Sequence, residues 1–185
     1  FMDGLSANLS MTSGLYSEGG SYKPRDARQK VAEAEAKTFA YNGRLKYTGI
    51  PGLEVAGTIN YQDNYCQNEI AGCDSATLYE GHVVYNKDAF GIRALYAQWD
   101  IDGYAVKDAG ADEQYGYYVE PSYRFNNAWT MNQDIGFFGR YAVWNNHEKS
   151  AKKEHIQYNM GLNWWVDKDV VVKVDYQIQD VESGV

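Results

Sequence analysis

Apolar and polar residues alternate along most of this chain. From Val170 to Gln179, Val170, Val172, Val174, Tyr176 and Ile178 share one parity, against Lys173, Asp175, Gln177 and Gln179, with Val171 the single break. In "LEVAGTINYQ", Leu53, Val55, Gly57, Ile59 and Tyr61 oppose Glu54, Ala56, Thr58, Asn60 and Gln62. "HIQYNMGLNW" and "YNGRLKYT" alternate in the same way. A period of two marks a strand with unlike faces. The pattern predicts strands near 4–16, 38–49, 52–64, 76–87, 89–99, 115–125, 130–144, 153–166 and 169–180.

The connections alternate as well. Those near 49–51, 86–88, 126–129 and 167–169 are short, and those at 17–37, 65–75, 100–114 and 145–152 are long. That order predicts an antiparallel up-and-down meander, one domain over 1–185, with its short turns gathered at one end. One segment departs from the β pattern. "PRDARQKVAEAEAKTFA", Pro24 to Ala40, is rich in helix formers and opens on a proline suited to a first helical position. It predicts a short helix over 25–37, within a 17–37 loop that lies either on the outer surface or in a pore.

Alternation alone leaves the solvent of the apolar face open. In a soluble barrel that face meets a core, and in a membrane barrel it meets lipid. Three features favour lipid. Arg44, Lys46, Glu54, Glu80, Arg93, Glu120, Arg124, Asp134, Arg140, Lys173 and Asp175 all take the other parity, as in a water-filled lumen. Aromatics form two bands. Tyr47, Tyr85, Phe90, Phe125, Trp129 and Trp164 lie beside the short turns; Tyr16, Tyr41, Tyr61, Tyr79, Tyr117, Tyr141, Tyr158 and Tyr176 lie towards the long loops. Such girdles mark the two interfaces of a bilayer. The predicted strands are also long enough, at about 11 residues, to cross it when tilted.

Composition sharpens this picture. Tyrosine alone numbers 17, proline only 3, and the mean hydropathy is −0.58. A polar average with no long apolar run excludes a helical membrane protein and leaves a β-barrel, whose strands are half apolar. The net charge of −8 argues against a nucleic-acid partner and leaves small solutes and ions. The opening "FMDGLSANLSM" has no basic or apolar leader character and already alternates. The expectation is that a leader has been removed or that a larger N-terminal part precedes it.

Little points to catalysis. His82, His147 and His155 lack metal-site spacing, and no serine sits in a nucleophile elbow. The expectation is a protein without enzyme activity, cofactor or bound metal. "DIDG" at 100–103, with Asp108, Asp112 and Glu113, has some calcium-loop character without the full ligand spacing, and reads as a solvated acidic loop. Cys66 and Cys73 bracket a short polar loop, "CQNEIAGC". The pair predicts a small disulfide loop, which suits an oxidising compartment, with two reduced loop thiols as the alternative. Arg44, Lys46, Arg93, Arg124, Arg140 and Lys173 are candidate pore-lining cations, with Glu54, Glu80 and Asp175 as inward carboxylates; Lys23, Arg25, Arg28 and Lys30 are candidates for a constriction loop. Wall charges of both signs serve either as structural salt bridges or as a selectivity field.

The stretches "ARQKVAEAEAKTFAYNGRLKYTGIPGLEVAGTINYQ", "HVVYNKDAFGIRALYAQWDIDG", "GYYVEPSYRF" and "MGLNWWVDKDVVVKVDYQIQD" together resemble the C-terminal half of Gram-negative outer-membrane porins of the phosphate-selective type. The final "LNWW", tight turn and "VVVKVDYQ" carry the resemblance most specifically. It implies a transmembrane barrel of about sixteen strands, often trimeric, in the outer membrane beside lipopolysaccharide. It implies passive diffusion of small, often anionic, solutes, with a loop folded inward to narrow the pore. Family members end on a strand with a terminal aromatic residue, whereas this sequence stops at "VESGV", and nine strands is an odd number. Both departures predict an incomplete barrel. The competing expectation is a plugged barrel that acts as an adhesin, receptor or assembly partner.

Overall fold

A computed structural model describes residues 2–20, 22–126, 133–146 and 153–183. The chain is all-β. Its strands are β1 (Leu5–Thr12), β2 (Ala40–Tyr47), β3 (Leu53–Gln62), β4 (Ala76–Lys87), β5 (Phe90–Ile101), β6 (Glu113–Asn126), β7 (Asp134–Asn145), β8 (Lys153–Asp167) and β9 (Val170–Ser183). They form one sheet in chain order, each antiparallel to its sequence neighbour. The 126–129 turn and the 145–152 loop of the sequence pattern, with Trp129 and His147, lie largely or wholly outside the described residues.

Register carries the alternation from strand to strand. Leu45 pairs with Gly57, Gly57 with Gly81, Gly81 with Tyr96, Tyr96 with Tyr117, Tyr117 with Val143 and Val143 with Ile156. A slip of one residue anywhere would turn that strand's apolar set to the other side. The ladder has an irregularity between Trp165 and Asp167, next to the last short turn. In the short turn before β3, Gly52 has φ 81°, and a Cβ there would lie 2.0 Å from the Asn86 carbonyl oxygen, so the close approach requires glycine.

The buried core lies at the long-loop end rather than between two layers. Tyr22, Ala27, Tyr65, Cys66, Cys73, Ala76, Ile101, Val106 and Ala111 pack there, with Leu15, Ile70 and Trp99 against them. Three long connections, 13–39, 63–75 and 102–112, supply most of it. Burial, more than the charge of Asp26, raises the Tyr65 phenol above its usual range. It therefore stays protonated and donates to the Tyr22 carbonyl at 3.2 Å.

The helix expected over 25–37 does not form. Two backbone bonds from Asp26 and Ala27 to the Lys23 carbonyl close a single turn, and a three-residue 3₁₀ turn follows at Val31–Glu33, between extended Lys30 and Ala34. Propensity over so short a stretch is marginal without an apolar stripe to bury. Here Tyr22 and Ala27 are anchored in the core. Gln29 bonds instead to the Gly14 and Glu35 carbonyls and to the Glu35 N–H. The α-helix lies in the next-but-one long loop: α1, Tyr104–Ala109, which buries Val106 and ends on left-handed Gly110.

Cys66 and Cys73 are joined, with S–S 2.10 Å and Cα–Cα 6.0 Å, and both are buried. Under denaturing conditions without reductant, iodoacetamide should add no mass to the protein. After reduction it should add two adducts. Alkylation of the unreduced, denatured protein would refute the pairing.

Candidate functional site

One face of the sheet is polar. Ser6, Asn8 and Ser10 on β1 pair with Lys46, Arg44 and Asn42 on β2, and the same parity runs on to β9. The candidates Arg44, Lys46, Glu54, Glu80, Arg93, Arg124, Arg140, Lys173 and Asp175 all fall on this face, but they form two groups.

The first group spans β2–β4. His82 lies between two carboxylates, with Nδ1 2.6 Å from Glu80 Oε1 and Nε2 3.1 Å from Glu54 Oε1. Lys46 Nζ is 3.6 Å and Arg44 3.8 Å from the same Glu54. The spacing of the histidines gave His82 no metal role in the sequence. The readable signal was Glu80, His82 and Glu54 sharing one face on adjacent strands.

The second group surrounds a concavity of about 850 Å³ on the polar side of β5–β9, lined by Arg93, Glu120, Arg124, Arg140, Asn159, Asn163, Trp165, Lys173, Asp175 and Gln177 among others. Arg44, Lys46, Glu54 and Glu80 do not line it. Glu120 organises this wall. Its carboxylate meets Arg140 at 2.6 Å and Arg93 at 3.8 Å, and its side chain is only 10% exposed, against 59% for Arg93. The long, exposed Arg93 pair adds little stability, so Arg93 keeps a charge presented to the cavity. Arg140 also lies 4.6 Å over the Tyr118 ring, and Arg124 lies 4.1 Å over Trp165 while pairing with Asp134. A ring beneath a guanidinium fixes its direction as well as adding attraction. Lys173 and Asp175 are exposed, without ion pairs among the described residues. Between them and the loops, Gln157, Asn159 and Gln177 donate to one another in a closed ring of amides.

The loop candidates lie at the end of the same face. Gln114, on the polar parity of β6, donates to the Tyr22 carbonyl at 2.9 Å, and the Ser17 N–H bonds to the Tyr65 carbonyl. Segment 15–27 thus crosses the ends of β3, β4 and β5 to reach β6. Arg25 and Arg28 line a shallow recess of about 560 Å³ with Leu15, Pro24 and Trp99. Lys30 is exposed beyond the turn. The acidic stretch 100–113 makes local contacts such as Ser75 to Asp102. Among the described residues no three His, Cys, Asp or Glu side chains are placed to hold a metal. His155 stacks on Trp144.

No family model matches this sequence, and no curated protein matches it at a significant level. The functional reading therefore rests on the two faces and the mouth.

Removing the Glu120 carboxylate leaves two guanidiniums on the wall without their shared acceptor. Glu120→Ala should cost about 1–3 kcal/mol of stability. Asp175→Ala, at an exposed position, should stay within about 0.5 kcal/mol. Urea unfolding of the two variants checks the order; equal costs would remove Glu120 from the centre of the wall.

Proposed function

We propose that this chain forms wall and mouth of an outer-membrane diffusion channel: part of a transmembrane, up-and-down β-barrel of about sixteen strands, passing small hydrophilic solutes with a mild preference for anions. The observation that carries the reading is the opposed character of the two faces. Leu9, Leu45, Val55, Ile59, Phe137, Met160, Val172 and Val174 are exposed on one side, and no second layer among the described residues covers them. Leaving such side chains in water forgoes about 1.5–3 kcal/mol each. Lipid removes that cost. The girdle residues share the face: Tyr47, Tyr85, Phe90, Phe125 and Trp164 towards the short turns, Tyr41, Tyr61, Tyr79, Tyr117 and Tyr158 towards the long loops. Tyr16 lies off the strands, in the first long connection. Among the described residues no helix is long and apolar enough to cross a membrane, so in this reading strands would do so.

The polar, concave face is the lumen side in this reading. Arg93 and Lys173 present charge there, and Arg25 and Arg28 add to it at the mouth. Rings of such cations lower the barrier for anions. The resemblance to porins supports a trimer, with bilayer lipid and lipopolysaccharide as its surroundings. A plugged barrel that binds rather than conducts is the second reading. The docking of segment 15–27 across the mouth favours it. Discrete conductance steps in a planar bilayer support the channel; a folded, inserted protein without steps supports the plug.

Face assignment is tested by charge placement. Val172→Arg, facing lipid, should cost about 2–4 kcal/mol, while Gln177→Arg, facing the lumen, should be nearly neutral. Equal costs in denaturant unfolding from lipid vesicles would overturn it.

Changing Arg25, Arg28 and Lys30 together to Ala should move the reversal potential in a salt gradient towards cation selectivity. An unchanged reversal potential would leave selectivity to the wall cations Arg93, Arg124, Arg140 and Lys173.

A further inference from the structure

We propose that Gln67 is the positioning residue of the mouth: one buried amide ties both stems of the 13–39 loop together and so sets the bore and the charge at the entrance. This rests on the channel reading above.

The amide uses its full reach. Nε2 donates to the Ser13 carbonyl at 2.9 Å and to the Leu15 carbonyl at 3.0 Å, and Oε1 accepts from the Thr38 N–H at 2.8 Å. Ser13 and Leu15 begin the loop, and Thr38 ends it. Gln62 also grips Leu15, through its N–H and its carbonyl, but Gln62 reaches only the first stem. Gln67 joins the two. Gln67 itself is fully buried, so its amide relies on these partners rather than on water.

The backbone is arranged to present this side chain. Gln67 has φ 55° and Asn68 φ 68°, two successive left-handed residues that are not glycine. Such conformations persist only where the surroundings over-determine them, and they collect where a side chain must be aimed. Here the surroundings are Asn64 and the disulfide. Asn64 Oδ1 accepts from the N–H groups of Cys66 and Asn68, and its Nδ2 donates to the Cys73 carbonyl. The Cys66–Cys73 bond closes the same hairpin. Thr38 Oγ1 then donates back to the Asn64 carbonyl, so the second stem is held at two points. The first stem bends at Gly14, φ 73°, where a Cβ would stand 2.6 Å from Gln62 Oε1. Between the stems, the loop carries Arg25 and Arg28 to the recess beside Trp99. Tyr22 and Ala27 hold the middle of the loop separately, so loosening the stems shifts those cations at the entrance rather than freeing them.

Gln67→Met keeps the length and removes the amide; Gln67→Asn keeps the amide and shortens its reach. Both should keep the disulfide and a cooperative unfolding transition in detergent. Amide exchange at Thr38, whose N–H bonds to Gln67, should quicken by about tenfold when read by mass spectrometry in detergent. Single-channel conductance should rise, and the reversal potential should move towards cation selectivity. Adding Arg25→Ala, Arg28→Ala and Lys30→Ala to Gln67→Met should produce little further shift, since both changes act on the same charges. Variants that match the parent in conductance and reversal potential overturn the proposal, whatever the exchange rates. So does failure of both variants to fold, which would make Gln67 a folding determinant only. A parent without conductance steps instead overturns the channel reading, and the clamp then stands or falls on the exchange rates alone.

Discussion

Pairing register governs this molecule more than any single contact. Each strand hydrogen-bonds only to its sequence neighbours, and its side chains point alternately up and down. Fixing one pair therefore fixes the facing of every later strand. With Leu45 set against Gly57, the chain of pairs runs through Tyr96 and Tyr117 to Ile156. The apolar parity is committed to one side and most of the strand charge to the other, with exceptions such as Asp100, Glu113, Glu154 and Asp180 towards the long loops. A sheet so divided, with no second layer among the described residues, leaves its apolar side in need of cover. That need, more than any local motif, leads to the membrane reading.

The polar side has its own constraint. Charges on a wall must be held apart from collapse yet remain available. Glu120 meets it by taking two guanidiniums at unequal distance, Arg140 tightly and the more exposed Arg93 loosely. Tyr118 and Trp165 hold the Arg140 and Arg124 planes by stacking. The β2–β4 cluster is different in kind. There His82 and two carboxylates are linked to one another, and the charges are largely spent on mutual pairing. The cavity consequently lies towards β5–β9, where exposed Arg93 and Lys173 remain.

The strands were legible because alternation is a long signal repeated over eight to fifteen residues, and every one of β1–β9 overlaps a stretch of it. The site's parity followed from the same signal. Its partition into two groups did not, because which charges meet depends on cross-strand neighbours such as Glu120 and Arg140, distant in sequence. The loops were the least legible. Alanine and glutamate suggested a helix at 25–37, but Gln29 and the anchoring of Tyr22 and Ala27 outweigh a propensity of a few tenths of a kcal/mol per residue. Helix α1 has only six residues, too few to show a period, and it exists because Val106 fills the core that the other loops leave open. Gln67 looked like any polar loop residue; only the strands beside it bring Ser13 and Thr38 within its reach.

The bond from Gln114, at the start of β6, to Tyr22 joins residues separated in the chain by four strands, β2 to β5. Strand pairing in this topology closes only short stretches of chain at each step, whereas this contact closes a very long one. It can be made cheaply only after β2 through β6 are already side by side. The wall and the mouth are thus separated in time as well as in space. Hairpins can zip in chain order while the first long loop is still free, and the loop core then locks across strands already aligned. An assembling sheet of this kind stays open at its loop end until the last of those strands has arrived.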